Sequence, residues 1–263
     1  SHRLGIYMIF ETHAHYDDEK FDADRVELLS HLLRENGIEK VVNVGATLRG
    51  CKASVTLAEA YDNVYAAVGI HPEEIDEINE DVMNYLSKIS SHPKVVAIGE
   101  IGLDYHYTKE NRDRQIDLFC KQIEIALANN KPIVVHSRDA ISDTYDIIKR
   151  YGYGNRTLIH CFSSSLEMAL EFIKLGCILG IGGVLTFKNS HRLKRVVSGV
   201  SLDNLVLETD SPYMTPVPFR CKRNEPYNIV YVAQEISNLT GVDYSDVLKI
   251  TSQTACKFFD ISL

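Results

Sequence analysis

Short, almost wholly apolar runs recur eight times along this chain, and longer stretches of helical spacing separate them. The runs are Met8–Glu11, Lys40–Val44, Val64–Gly69, Val95–Gly99, Pro132–Val135, Thr157–Ile159, Cys177–Gly182 and Leu205–Glu208. A strand with one wet face alternates apolar and polar residues. Continuous runs such as Ile133-Val134-Val135 suit a strand buried on both faces, as in a parallel sheet covered by helices. Arg112–Asn129 places Ile116, Phe119, Ile123, Ala126 and Leu127 at helical spacing. Asp139–Arg150, Leu166–Leu175, Glu225–Leu239 and Val242–Phe259 repeat the pattern. Eight βα units are the number that closes a parallel barrel, and 263 residues is close to the roughly 250 such a barrel uses. The expectation is an α/β fold, a single (β/α)8 TIM barrel over residues 8–263. A doubly wound open sheet is the rival, because periodicity does not report closure. Met8 reads as a natural start and Ser1–Tyr7 as a cloning remnant, so His2 carries no argument.

In a parallel barrel the reacting groups stand just beyond the C-terminal ends of the strands. Those positions carry Glu11-Thr12-His13-Ala14-His15, Gly69-Ile70-His71-Pro72, Gly99-Glu100-Ile101-Gly102-Leu103-Asp104 and His136-Ser137-Arg138-Asp139. Later strands lead into His160-Cys161-Phe162-Ser163 and Glu208-Thr209-Asp210-Ser211-Pro212. Six strands thus deliver a histidine or an acid to one rim. In an extended segment residues i and i+2 point the same way, so His13 and His15 face the axis together and can grip one ion. Neutral imidazole suits zinc and the transition metals. Each residue has a blander reading alone. His136 and His160 could be hydrogen-bonded rim residues, and Asp210 before Ser211-Pro212 could cap a helix. Glu100 ends an apolar run and must be paired or bind a metal, since a bare buried charge is costly. All six being coincidences at one rim is the weaker explanation.

These segments, with Val68-Gly69-Ile70-His71-Pro72, Leu103-Asp104-Tyr105 and Arg223-Asn224-Glu225-Pro226, resemble the TatD-type deoxyribonucleases of the amidohydrolase-like barrel superfamily, in the family's order and over nearly the whole chain. Glu11 departs from the family's usual Asp, which implies a changed supporting partner rather than a lost metal. The resemblance implies two divalent ions, zinc, manganese or magnesium. His13, His15 and Asp210 would hold one, His136 and His160 the other, and Glu100 would bridge them. It also implies that Asp210 orients the attacking water or takes its proton, with Glu100 and Asp210 as the catalytic pair. The histidine-rich shell leans toward zinc or manganese over magnesium.

The substrate is expected to be a DNA end, single-stranded, trimmed from its 3′ terminus. The alternative is an amidohydrolase-like enzyme that opens a C–N or ester bond in a small molecule. His71 touches a substrate phosphate or buttresses the rim, and Arg138 reaches a phosphate or pairs with Asp139 or Asp104. Two basic stretches follow the late strands: Lys188, His191, Arg192, Lys194 and Arg195, then Arg220, Lys222 and Arg223. With Tyr105, Tyr107, Tyr213 and Phe219 they suit a single-stranded end, or they are solvated helix and mouth residues. Arg220 and Arg223 are taken as the substrate-binding pair of the second stretch. The net charge of −8 argues against wrapping long duplex. No apolar run reaches the ~20 residues of a membrane span, and no protein partner is implied. Six irregularly spaced cysteines without a C-x-x-C pair read as reduced thiols of a cytoplasmic protein.

Overall fold

The computed structural model describes residues 8–262; the segment 1–7, expected to be a cloning remnant, lies outside the described residues. The eight strands are β1 (Ile9–Ala14), β2 (Ile38–Val44), β3 (Val64–Val68), β4 (Val95–Asp104), β5 (Ile133–Arg138), β6 (Thr157–Ile159), β7 (Ile178–Ile181) and β8 (Leu205–Leu207). They lie side by side in sequence order, and each pairs with the next in parallel. The open-sheet alternative fails on this order and on the seam between β1 and β8. There the Thr12 hydroxyl donates to the Leu207 carbonyl (2.8 Å), and the Thr209 N–H to Glu11 Oε1 (2.8 Å). The Asp210 N–H donates to the His13 carbonyl (2.9 Å) and the His15 N–H to the Ser211 carbonyl (2.8 Å). The result is a nearly closed (β/α)8 barrel.

The doubly apolar runs resolve into two cores. Val42, Val44, Ala67, Val134, Leu158 and Val206 join Phe10 in an interior cluster, while Val41, Ala66, Val135, Ile159 and Leu207 join the larger cluster under the helices. The interior is sealed below by the helix Tyr244–Phe259. Phe259 stacks on Phe10 at 5.7 Å between ring centroids, and the Ser252 hydroxyl donates to the Met8 carbonyl (2.8 Å). Strand alternation carries the interior row straight into the mouth. Two residues after Val134, Leu158 and Val206 come His136, His160 and Glu208. In β1 and β4 irregular registers between Glu11 and Ala14 and between Ile98 and Ile101 reset the phase.

Three strands end later than expected, and β1, running on to Ala14, carries His13 within it. Strands β4 and β5 run on to Asp104 and Arg138, because Gly102, Leu103 and Asp104 pair with His136, Ser137 and Arg138. Gly102 permits this: its φ is +141°, and a Cβ there would stand 2.0 Å from the His136 carbonyl oxygen. Glu100 and His136 therefore project from rigid strand rather than from loops. The helices Leu48–Ala60, Glu80–Ile89 and His191–Gly199 come in addition to the stretches expected to be helical. The first two carry an N-cap signal: Thr47 Oγ1 accepts from the Gly50 N–H (2.9 Å) and Asn79 Oδ1 from the Val82 N–H (2.9 Å).

Candidate metal centre

The structure brings His13, His15, Glu100, His136, His160 and Asp210 to one point at the C-terminal end of the barrel. Glu100, almost wholly buried, lies between two sets of histidines. Its Oε2 is 3.3 Å from His13 Nε2, while its Oε1 is 3.1 Å from His136 Nδ1 and 3.5 Å from His160 Nε2. Asp210 Oδ1 stands 3.2 Å from His15 Nε2 and 3.6 Å from His13 Nε2. Three overlapping donor sets result, each with ligand atoms within 4.8 Å of one another: His13, His160 and Asp210; His13, His15 and Glu100; His71, Glu100 and His136.

The residues present fit divalent cations. Both ring nitrogens of His13 are buried and have no hydrogen-bond partner, an arrangement that costs free energy unless something other than protein completes it. The nitrogen and carboxylate donors are those that zinc and manganese accept.

The far sides of the other three imidazoles are held by the protein. His15 Nδ1 contacts the Val44 carbonyl at 2.8 Å, His136 Nε2 contacts Asp104 Oδ2 at 2.8 Å, and His160 Nδ1 is 3.0 Å from Glu208 Oε1. Such contacts fix which ring nitrogen faces the ion and raise its basicity. Glu208 also accepts from the Cys161 N–H (2.8 Å). Sequence reasoning placed Asp104 and Glu208 in the motifs but gave neither this task. The usable signal was phase: Glu208 falls two residues past the interior Val206. Glu11 likewise supports the site, its Oε1 accepting from the His13 N–H (3.2 Å) and the Thr209 N–H. Burial pushes its carboxyl up to about 8.

The electrostatics show what the pocket wants. Burial opposes charge on every member: at His13 it prevails and, with His160, holds the imidazole below its ordinary range, whereas at His15, His136 and His160 opposite charges win. Asp210 lifts His15 to about 9, Asp104 and Glu100 lift His136 to about 9, and Glu208 and Glu100 lift His160 to about 10. Glu100 is held well below the usual carboxylate range against its burial, chiefly by His160. Without an ion, protons supply the positive charge that the carboxylates demand.

The expected substrate residues fare unequally. His71 and Arg138 line a cavity of ≈ 440 Å³ over the cluster, with Tyr213 and Met214 on the β8 side. Arg138 lies over the Tyr107 ring, 5.4 Å from its centroid. The carboxylates of Asp139 and Asp104 pair instead with His106 (2.9 Å) and His136. Arg220 is exposed and stacks on Phe187 at 3.6 Å. Arg223 donates to both carboxylate oxygens of Asp24 (2.8 and 2.6 Å) and to Glu225, and its guanidinium lies over Phe21. These acids pair its charge, and Arg223 ties the β8 loop to the segment after β1.

A barrel with this histidine–carboxylate cluster at its strand ends defines the class of metal-dependent hydrolases. The chain belongs to the TatD related DNase family, which matches residues 10–260. It is 40% identical to the uncharacterized metal-dependent hydrolase YabD of Bacillus subtilis, over 97% of this chain and 100% of that one. It is 32% identical to the uncharacterized metal-dependent hydrolase YcfH of Escherichia coli, over 96% of each. The crystal structure of the TatD homolog YjjV from Escherichia coli superposes with a TM-score of 0.91 at 27% identity, covering 98% of this chain and 100% of that chain.

Proposed function

We propose that this metal-dependent hydrolase is a deoxyribonuclease that removes nucleotides from DNA ends, in the 3′ to 5′ direction, with two divalent ions. His13, His15 and Asp210 would hold one ion, His136 and His160 the other, and Glu100 would be shared between them. The observation that carries the reading is the placement of Glu100, whose two oxygens face different histidines, Oε2 toward His13 and Oε1 toward His136 and His160. Bound there, the ions would supply Lewis acidity and a reactive hydroxide near neutral pH. Asp210, partly open to the cavity, orients the attacking water and accepts its proton. Asp104 and Glu208 keep His136 and His160 from turning. Arg138 and the exposed Arg220 attract the phosphates, and Tyr107 and Tyr213 offer ring faces to the bases.

The cavity is closed below by the packed barrel, so it admits a chain end more readily than the middle of a duplex. Among the described residues no helix is long and apolar enough to cross a membrane, and the six unpaired cysteines support a reducing compartment, the cytoplasm. One observation favours the second reading, hydrolysis of a small amide or ester. A hollow beside the cluster is lined by Asp17, Asp18, Glu73 and Glu74, which would repel a polyanion and accept a compact cationic group. End-labelled DNA and RNA strands of both polarities, run beside a closed circular single strand, test the proposal. A metal-dependent ladder from DNA 3′ ends with the circle intact supports it. Rapid cutting of the circle refutes end entry. No cutting at all, with turnover of an amide or ester, moves the assignment to the second reading.

A further inference from the structure

His71 is grouped with Glu100 and His136 by distance, as though it were one more ligand. The hydrogen bonding around its ring says otherwise. The chain turns into a 3-10 helix at Pro72–Glu77, and the Glu73 N–H at the start of that turn donates to His71 Nδ1 (3.1 Å). A neutral imidazole carries one N–H, so with the Nδ1 lone pair taken the proton is on Nε2. The ring is held in that orientation. Its backbone N–H donates to the Ala46 carbonyl (2.8 Å), its edge rests against His136 with centroids 4.3 Å apart, and only 9% of the residue is exposed. Nε2 makes no hydrogen bond among the described residues, and Glu100 Oε1 stands 3.6 Å away, too far for one. The Glu73 carboxylate, 3.8 Å from Nδ1, is also out of range. His71 therefore aims an unspent N–H donor into the cavity above the metal cluster. A nitrogen that bears a proton has no lone pair for an ion.

We propose that His71 is a neutral hydrogen-bond donor to the substrate rather than a metal ligand, its Nε2–H meeting the oxygen on which negative charge grows during hydrolysis. A rigid donor of this kind stabilises the transition state more than the ground state, because it needs no reorientation as the charge develops. The inference rests on the nuclease reading only for the identity of that oxygen, a non-bridging phosphoryl oxygen. In an amide or ester substrate it is the carbonyl oxygen.

The test separates the two. Two-bond 1H–15N correlation spectra of the zinc-loaded protein, with His71 assigned by comparison with His71→Ala, should show Nε2 protonated and Nδ1 bare. His71→Ala should keep the wild-type number of metal ions per chain by elemental analysis. On bis(p-nitrophenyl) phosphate its kcat should fall by ~10²–10³-fold, as for loss of one oxyanion donor, with KM little changed. His71→Gln, whose side-chain amide restores an N–H, should recover part of the loss. A proton on Nδ1, or one metal equivalent lost in His71→Ala, overturns the donor assignment. So does an unchanged kcat. A wild-type protein that turns over no phosphodiester overturns the nuclease reading alone, and the tautomer and metal count still decide for or against the donor.

Discussion

The backbone N–H of Asp210 donates to the carbonyl of His13 at 2.9 Å, while Asp210 Oδ1 stands 3.6 Å from His13 Nε2. The same two residues close the barrel with their main chains and build the site with their side chains. Asp210 adopts the left-handed conformation (φ 58°) to do both. The spacing between its carboxylate and the histidine pair is thus set by the barrel seam and not by a mobile loop.

Asp210→Asn isolates the carboxylate. Asn tolerates the left-handed backbone, so the seam survives. Turnover is expected to fall by ~10²–10⁴-fold, as for loss of a general base, at a metal concentration that saturates the variant. Steady-state kinetics with metal content measured on the same sample checks this. Near-normal turnover would reduce Asp210 to a closure residue.

Asp104→Asn and Glu208→Gln remove charge behind His136 and His160 without touching an ion. Each is expected to weaken metal binding by ~10–100-fold. Titration against a chromophoric chelator reads this directly, and unchanged affinity in both variants would show that the two carboxylates are structural only.

Arg223 and Arg220 should separate cleanly. Arg223→Ala breaks a fork to Asp24 and Glu225 and exposes Phe21, so it should cost about 1–3 kcal/mol of stability and leave KM nearly unchanged. Arg220→Ala should leave the thermal midpoint in place and raise KM for oligonucleotides more than it lowers kcat. Thermal denaturation and initial-rate kinetics on both variants check the pair; a KM effect confined to Arg223→Ala would restore it as a substrate residue.

Acidity should act through the histidines. His15, His136 and His160 are lifted to about 9, 9 and 10, above the ~6.5 of a free imidazole. In the metal-free protein their contribution to stability is fully present below pH ~6.5 and disappears as pH rises through 9 to 10. An ion must displace those protons. Zinc binding near pH 7.5 is therefore expected to release protons, measurable by calorimetry in buffers of different ionisation enthalpy, and affinity should climb with pH up to about 9–10. Proton release that is absent at pH 7.5 would contradict this account.

The fold was legible because its periodicity is short-range. Runs such as Ile133-Val134-Val135 declare burial on both faces, and eight of them separated by helical stretches leave few architectures. The starts of Leu48–Ala60 and Glu80–Ile89 are written in single capping side chains, Thr47 and Asn79. The six residues of the metal centre were legible for the same reason as the strands. Each lies in or just beyond a barrel strand, so all six come to the same rim.

What the sequence could not decide was how those residues divide their hydrogen bonds. That depends on contacts between segments far apart in the chain: Glu208 behind His160, Asp104 behind His136, Arg223 spent on Asp24. A side chain's chemical type is written in the sequence. Its remaining capacity to bind an ion or a substrate is whatever its neighbours leave unused, and only the closed barrel, by bringing β8 back against β1, determines who those neighbours are.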